Sequence, residues 1–411
     1  MTEPQSNDRT NWPRVALVVA AGCAAAAHIG KVPVALPVVA ADLHLDLKDA
    51  ATLTSIYSLV SALCGLLIGL TASRFGALRL VAGGLVLSSI ASVAGALAGA
   101  MPLLLASRVV EGLGYIMVGA AAPSLIVAVT RTDDRRVALG LWGAYVPAGS
   151  SMMMLAGAAI IGAVGWRGVW GLAALVSAAL AVALWIAATR ATAPAETPAS
   201  VAKVPWRVAA RDALSRQALL LAGCFLVYSA LYLTLTAFLP LMLVQRLGLP
   251  ASAAGLAGAA VTAANIIGNV GAGWLAYCRW PVARVVGFAA IGMGLASIAV
   301  YADETPLAVR VIAAACFTAV GGLIPGTLLG VAPRIARTPA AAAGVVGLMI
   351  QGAGIGQLLG PPLFARMVEW VGWWQGAGLF MAVATAALLA MVARIAVAEP
   401  AEKPAAAEAP P

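Results

Sequence analysis

Charge is what this sequence has least of. Asp, Glu, Lys and Arg make up only 10% of its 411 residues, against 62% apolar residues and a mean hydropathy of +0.97. A soluble domain carries about 25% charged and roughly 45–50% apolar residues. A water-soluble globule of this size would leave apolar surface uncovered. Soluble-enzyme and nucleic-acid-binding readings are therefore excluded, despite a net charge of +9. Histidine is scarce as well, with only His28 and His44 present. The five cysteines, Cys23, Cys64, Cys224, Cys278 and Cys316, are scattered and form no C-x-x-C pair. No disulfide framework, metal site or catalytic constellation follows from them. The chain also lacks a G-x-x-x-x-G-K-[ST] phosphate loop. No cofactor and no enzymatic activity are expected.

What the chain has is long apolar blocks. Each is of the order of 20–28 residues, enough to cross about 30 Å of hydrocarbon at 1.5 Å per residue. The expected fold class is an all-α membrane protein with twelve transmembrane helices. The first six spans are read at 15–39, 50–72, 78–99, 102–129, 137–161 and 166–189. The second six are read at 218–243, 251–277, 281–301, 306–330, 340–367 and 372–396. The first apolar run is too long for a signal-peptide core, so it is expected to be a retained span. The domain organisation is then an N-terminal tail 1–13, a six-helix bundle 14–189, a Pro/Ala-rich basic linker 190–217, a second bundle 218–397 and a disordered tail 398–411.

Basic residues fix the orientation. Arg74, Arg79, Arg131, Arg135, Arg136, Arg279, Arg284, Arg334 and Arg337 fall in every second loop, and the linker and tails add more. The alternate loops hold only Lys48, Arg167, Arg246 and Arg366. Cytoplasmic loops carry the excess of Lys and Arg, so both termini are expected in the cytoplasm of a bacterium, with the chain multi-pass in its inner membrane.

The two halves repeat. An offset of 202 places Arg108 on Arg310, Gly119 on Gly321 and Pro123 on Pro325. Further on, Val164-Gly165-Trp166 matches Val371-Gly372-Trp373. Paired repeats of this kind place a substrate site near mid-membrane, between the halves.

Several segments carry a family resemblance. The loop Gly69-Leu-Thr-Ala-Ser73-Arg74-Phe-Gly76-Ala-Leu-Arg79 resembles the signature of the major facilitator superfamily, with Ser73 standing where that family has an acid. Arg108-Val-Val-Glu111-Gly112-Leu-Gly114 in span 4 and Gly143-Ala-Tyr-Val-Pro147-Ala-Gly149 in span 5 are similar to further motifs of the family. The end of span 1, Lys31-Val-Pro33-Val-Ala-Leu-Pro37, is similar to the cyanate/nitroimidazole-type branch. The resemblance implies a rocking transporter in which spans 1, 4, 7 and 10 line a central cavity. It makes Gly69, Ser73, Arg74, Gly76 and Arg79 a gating motif.

An ionisable side chain at mid-span costs roughly 2.5–3.5 kcal/mol on the insertion scale, so each invites a function. Span 1 offers His28 and Lys31, span 4 offers Arg108 and Glu111, and span 10 offers Arg310. The three cations lie at similar depth, about 6–12 Å below one end of their spans. They are expected to converge with His28, Tyr228 and Tyr232 on a pocket for an anionic substrate. Glu111 is the single acid inside a span; it or His28 is expected to couple protons. For Arg108 and Glu111 a plain i,i+3 ion pair is the competing reading, and for Arg310 it is a side chain reaching toward the surface.

The function expected is thus a secondary active transporter that moves a small anionic solute, inorganic or a carboxylate, by alternating access and in symport with a proton. The alternatives are a proton-coupled drug or multidrug efflux pump and, from another class, a non-transporting membrane sensor. The expected partners are the small-molecule substrate, protons and the lipid bilayer. Nucleic acid is not expected, and the chain is read as a monomer.

Overall fold

The computed structural model describes residues 10–71, 76–189, 214–335 and 339–398, and all regular structure in these residues is helical. The first half contains α1 (Trp12–Asp42), α2 (Leu47–Ser55), a 3-10 turn (Ile56–Ser58), α3 (Leu59–Thr71), α4 (Ala77–Ala96), α5 (Met101–Ala128), α6 (Arg135–Gly143) and α7 (Tyr145–Thr189). The second half contains α8 (Arg216–Leu247), α9 (Ala251–Tyr277), α10 (Val282–Tyr301), α11 (Leu307–Gly321), α12 (Leu323–Ile335), α13 (Pro339–Val371) and α14 (Trp373–Ala398). Most of the linker and the C-terminal tail lie outside the described residues, as do Ser73 and Arg74 of the gating motif.

Ten stretches are long and apolar enough to cross a membrane among the described residues, and one of them is the whole of α7. That helix is continuous only by hydrogen bonding, because Gly165 has φ 63° and ψ −172° and turns the chain. Two crossings therefore meet at Gly165, and α13 adds 33 apolar-rich residues. The count accords with the twelve expected. Large apolar side chains such as Leu67, Ile90, Leu175, Trp185, Ile267 and Phe288 point outward, as lipid-facing surface requires.

Two expected spans are interrupted. The span read at 137–161 breaks at Ala144, between α6 and α7. The span read at 306–330 breaks at Gly322, between α11 and α12. Proline removes the amide that would bond the carbonyl four residues earlier. Pro147 thus frees the carbonyl of Gly143, and Pro325 frees that of Gly321, at the two breaks. The span at 50–72 is also divided, by the 3-10 turn.

The internal repeat is visible in the backbone. Gly165 and Gly372, both in a Val-Gly-Trp sequence, have positive φ, 63° and 102°, and each joins the last two crossings of its half. A side chain strains this conformation, so glycine is the residue that fits.

Glycines also set how closely the helices approach. A Cβ on Gly30 of α1 would stand 2.1 Å from the carbonyl oxygen of Ser150 in α7, and one on Gly149 would stand 2.1 Å from that of Cys23. Contact between the halves runs along two seams. In one, α3 and the 3-10 turn pack on α13: Ser58 Oγ donates to Gln357 Oε1 at 2.7 Å, and the Leu66 N–H donates to Gln351 Oε1 at 3.2 Å. The other runs along α7 and α9, where Gly255 sits against Val34 and Ala158. At the Asp42 end of α1, Lys48 and Glu369 add an exposed ion pair between the halves at 3.1 Å. Such a surface pair contributes little by itself.

Gly30→Ala must push α1 off α7 and is expected to cost about 1–3 kcal/mol, seen as a lowered unfolding temperature in detergent. Gly162→Ala, where nothing lies within 4 Å, is the control and should be neutral or slightly stabilising. Equal stability of Gly30→Ala and wild type would contradict the packing described.

Candidate functional site

Four of the expected site residues meet in the interior of the first half. His28 and Lys31 lie one turn apart on α1, and Arg108 and Glu111 one turn apart on α5, so each pair shares a helix face. All four are buried, with exposures of 0–1%. Glu111 stands between the two cations: Lys31 bonds its Oε1, and Arg108 bonds its Oε2. The acid that satisfies Lys31 thus comes from another helix. With His28 neutral, the group carries two positive charges against one negative.

Neighbouring residues complete the shell. Trp170 of α7 lies beneath Lys31, whose Nζ is 4.6 Å from its ring centroid. Tyr57 lies over the Arg108 guanidinium at 4.5 Å. Both contacts are cation–π interactions in a desolvated setting, where they are strongest. Small residues admit them. A Cβ on Gly112 would lie 1.9 Å from the Tyr57 carbonyl oxygen, and one on Gly95 would lie 2.7 Å from the Trp170 ring. Arg108 also donates to the backbone carbonyl of His28 at 2.8 Å, tying α5 to α1 at the level of the cluster.

The hydrogens can be followed one by one. The three N–H bonds of Lys31 go to Glu111, to Ser92 Oγ at 2.7 Å and to His28 Nδ1 at 3.4 Å. Ser92 in turn donates to the Trp170 carbonyl at 2.9 Å. Since the ammonium can only donate, Nδ1 must accept, and the ring proton belongs on Nε2, which then donates to Ser177 Oγ at 2.8 Å. A further proton on this imidazole has one place to go, Nδ1. That atom is also 3.4 Å from Glu111 Oε1, so a protonated His28 would compete with Lys31 for the same carboxylate oxygen.

Other expected members lie elsewhere. Arg310 does not join the cluster. Its guanidinium donates to the carbonyls of Val300, Ala302, Asp303 and Thr305, at the end of α10 and the start of the next loop. The last carbonyls of a helix lack intrahelical partners, and Arg310 supplies them. The expected convergence of three cations on one pocket is corrected accordingly. Tyr228 and Tyr232 of α8 stack on each other at 5.7 Å, and Asn265 Nδ2 donates to the Tyr228 hydroxyl at 3.0 Å. Of the gating motif, Gly76 takes φ 79° as the N-cap of α4 and Arg79 is exposed. Gly69 lies within α3.

Sequence reasoning missed Ser92, Trp170 and Ser177 as members of the shell. A lone serine or tryptophan in an apolar span carries no signal of its own. Glu111 was visible as the single acid in a span, and its depth matches that of Lys31. The pairing could have been drawn from that.

Residues 17–355 match the family model of the Major Facilitator Superfamily. An uncharacterized MFS-type transporter of Mycobacterium tuberculosis is 32% identical over 136 residues, which cover 33% of this chain and 24% of that protein. The tetracenomycin C resistance and export protein of Streptomyces glaucescens is 27% identical over 172 residues, 40% of this chain and 32% of that one. The matches thus span a quarter to a third of the length of these curated relatives. Among solved structures, a bacterial homolog of the human lysosomal transporter Spinster, inward-facing and occupied, superposes with a TM-score of 0.74 at 18% identity. The match covers 93% of this chain and 96% of that one. Its inward-facing, unoccupied form gives a TM-score of 0.71 at 19% identity, covering 97% and 96%. These likenesses bear on the fold.

The cluster makes a stability prediction. Glu111→Gln leaves two buried cations without their anion and is expected to cost about 3–5 kcal/mol. Adding Lys31→Met removes one of those cations and should recover part of the loss, because Arg108 still lacks its anion. Unfolding temperatures in detergent measure both. A Glu111→Gln protein as stable as wild type would show that the carboxylate does not hold the cluster together.

Proposed function

The chain belongs to the Major Facilitator Superfamily, and from that premise we propose that it is a proton-coupled secondary transporter that moves a small organic solute by alternating access. The observation that carries the coupling is the buried cluster itself. Burying two cations, a carboxylate and an imidazole in a membrane bundle is expensive, and plain helix packing needs none of them. In this reading a proton arrives at His28 Nδ1, takes Glu111 Oε1 from Lys31, and so changes the contacts that join α1 to α4 and α5. The added charge biases the two arrangements of the bundle, and its release on the other side resets them. Both termini are proposed to face the cytoplasm of a bacterial inner membrane, as the distribution of basic residues suggests.

Two observations bear on the cargo. The cluster keeps one positive charge beyond Glu111, which favours the small anion, inorganic or a carboxylate, carried in symport. Against it, the contacts of Lys31 and Arg108 run to groups within the first half, and both side chains are sealed from solvent. The aromatic side chains Tyr115 of α5, Tyr145 of α7 and Tyr228 and Tyr232 of α8, stacked in pairs, support an organic compound instead, and the name of the S. glaucescens relative, resistance and export, agrees with that. The organic cargo is the leading reading and export its direction; the anion is the second.

Proteoliposomes with an imposed pH gradient test this, using a panel of aromatic dyes and labelled small carboxylates. Gradient-driven movement of dyes is expected in wild type. In Lys31→Met/Glu111→Gln, exchange at equal pH should persist while the gradient-driven component falls by about tenfold, the size of an ordinary coupling free energy. Undiminished gradient drive in that variant would contradict the role given to the cluster. Movement of carboxylates alone would establish the second reading.

A further inference from the structure

The second half carries an apolar groove on its outer, lipid-facing side. It runs between α9 and the interrupted pair α11 and α12 and holds about 300 Å³. Glycine makes it. A Cβ on Gly268 would stand 2.0 Å from the Ala319 carbonyl oxygen, so α9 and α11 touch at that level. One turn on, Gly271 leaves α9 without a side chain where Leu323 begins α12. The space opens there, flanked along α9 by the exposed side chains of Ile267 and Trp274. Small residues by themselves signify only close helix packing. The end of this groove adds charge.

Helix α9 ends at Tyr277 in a cap hung on the groove itself. The Trp280 N–H donates to the carbonyl of Leu275, a groove residue, at 3.0 Å, and the Arg279 N–H donates to the Ala276 carbonyl at 3.2 Å. These two bonds close a helix around a left-handed residue, usually glycine, yet here Arg279 takes the position with φ 56°. Arg284 follows in the first turn of α10, and Tyr277, Arg279, Trp280 and Arg284 are all exposed. Among the described residues neither arginine has an ion-pair partner. The acids described in the second half are Asp303, Glu304 and Glu369. The first two follow the far end of α10, about 30 Å away along its 20 residues, and Glu369 pairs with Lys48. Between the arginines α10 begins behind Pro281 with no side-chain cap, so its first amides are open to a ligand. Two unpaired cations and an uncapped helix N-terminus thus stand at the mouth of an apolar groove. Trp280 stands with them, and indoles favour the headgroup level.

We propose that this groove is a binding site for an anionic phospholipid of the adjoining leaflet, which is the cytoplasmic one in the orientation proposed above. One acyl chain lies in the groove along Gly271 and against Leu323, and the phosphate meets Arg279, Arg284 and the start of α10. Charge complementarity selects the occupant, because basic residues just outside a span attract anionic headgroups. A zwitterionic lipid fills the same groove but brings no net charge to the two cations. A free phosphate brings charge but leaves the apolar wall uncovered. Ala319 and Leu323 stand on either side of the break at Gly322, so the bound chain bridges the two pieces of the interrupted helix.

Native mass spectrometry of the purified full chain tests the site, with the protein released from nanodiscs of phosphatidylcholine and phosphatidylglycerol carrying the same acyl chains. Wild type should retain phosphatidylglycerol in preference to phosphatidylcholine. Glycerol phosphate, the headgroup without chains, should not displace it. Arg279→Gln and Arg284→Gln should each lower the preference about fivefold, the effect of one charge near a membrane surface. Arg135→Gln removes an equal charge from a loop of the first half and should leave the preference as it was. Gly271→Leu keeps both arginines but fills the groove, and it should lower retention too. Arg279→Gly separates binding from packing. Glycine fits φ 56°, so the unfolding temperature in phosphatidylcholine should rise while the preference for phosphatidylglycerol falls. Equal retention of both lipids by wild type, or an unchanged preference in the Arg279 and Arg284 variants, would overturn the proposal. So would an equal loss in Arg135→Gln, which would make net charge the cause. Unchanged retention in Gly271→Leu, or displacement by glycerol phosphate, would contradict it as well, since neither result needs a chain in the groove.

Discussion

A carboxylate held between two cations inside a low-dielectric bundle is the interaction on which the rest of the first half depends. Neither Lys31 nor Arg108 is tolerable at 0–1% exposure without a counter-charge, and Glu111 serves both through its two oxygens. Around it the sequence makes room. Gly112 lets α5 reach the Tyr57 carbonyl and Gly95 lets Trp170 lie beside α4, so the two rings can cover the two cations. Helices α1, α4, α5 and α7 are thereby joined at a single point. Any change in the charge of that point is felt by four elements at once.

The halves share a backbone plan and differ in what they bury. Both turn between their last two crossings at a Val-Gly-Trp glycine, and both interrupt a helix three residues before a proline. Arg108 and Arg310 occupy corresponding positions, but the residue 202 beyond Glu111 is Ala313. Without an acid one turn away, Arg310 finds its partners among backbone carbonyls at the end of α10. The same inherited cation is thus an electrostatic partner in one half and a helix cap in the other. The second half instead presents stacked tyrosines and an asparagine pair, Asn265 and Asn269, joined at 2.8 Å. Charge sits on one side of the boundary and aromatic surface on both.

Much of this was legible in the sequence, and the physical reason is the bilayer. Span length, the alternation of basic loops and the cost of charge in hydrocarbon are strong constraints, so the helices, the repeat and the four cluster residues could be named one by one. The turn at Gly165 was legible too, as the gap between the spans read at 137–161 and 166–189. Partner choice was not. The i,i+3 spacing exposed Arg108 with Glu111, but the bond from Lys31 to Glu111 crosses helices and depends on their rotation, which periodicity in so uniformly apolar a chain does not reveal. Arg310 misled for the same reason: depth in a span says nothing about the direction in which a guanidinium points.

If the cluster links proton occupancy to the relative position of the halves, that link is measurable without knowing the cargo. Spin labels at Ala41 on α1 and Arg366 on α13 report the separation of the halves at the Asp42 end, by pulsed electron–electron resonance in nanodiscs. Wild type should change its distance distribution between mildly alkaline and mildly acidic pH, and the Lys31→Met/Glu111→Gln protein should keep one distribution throughout. A pH-dependent change of the same size in the double variant would contradict the central claim, because the motion would then take its proton from somewhere else.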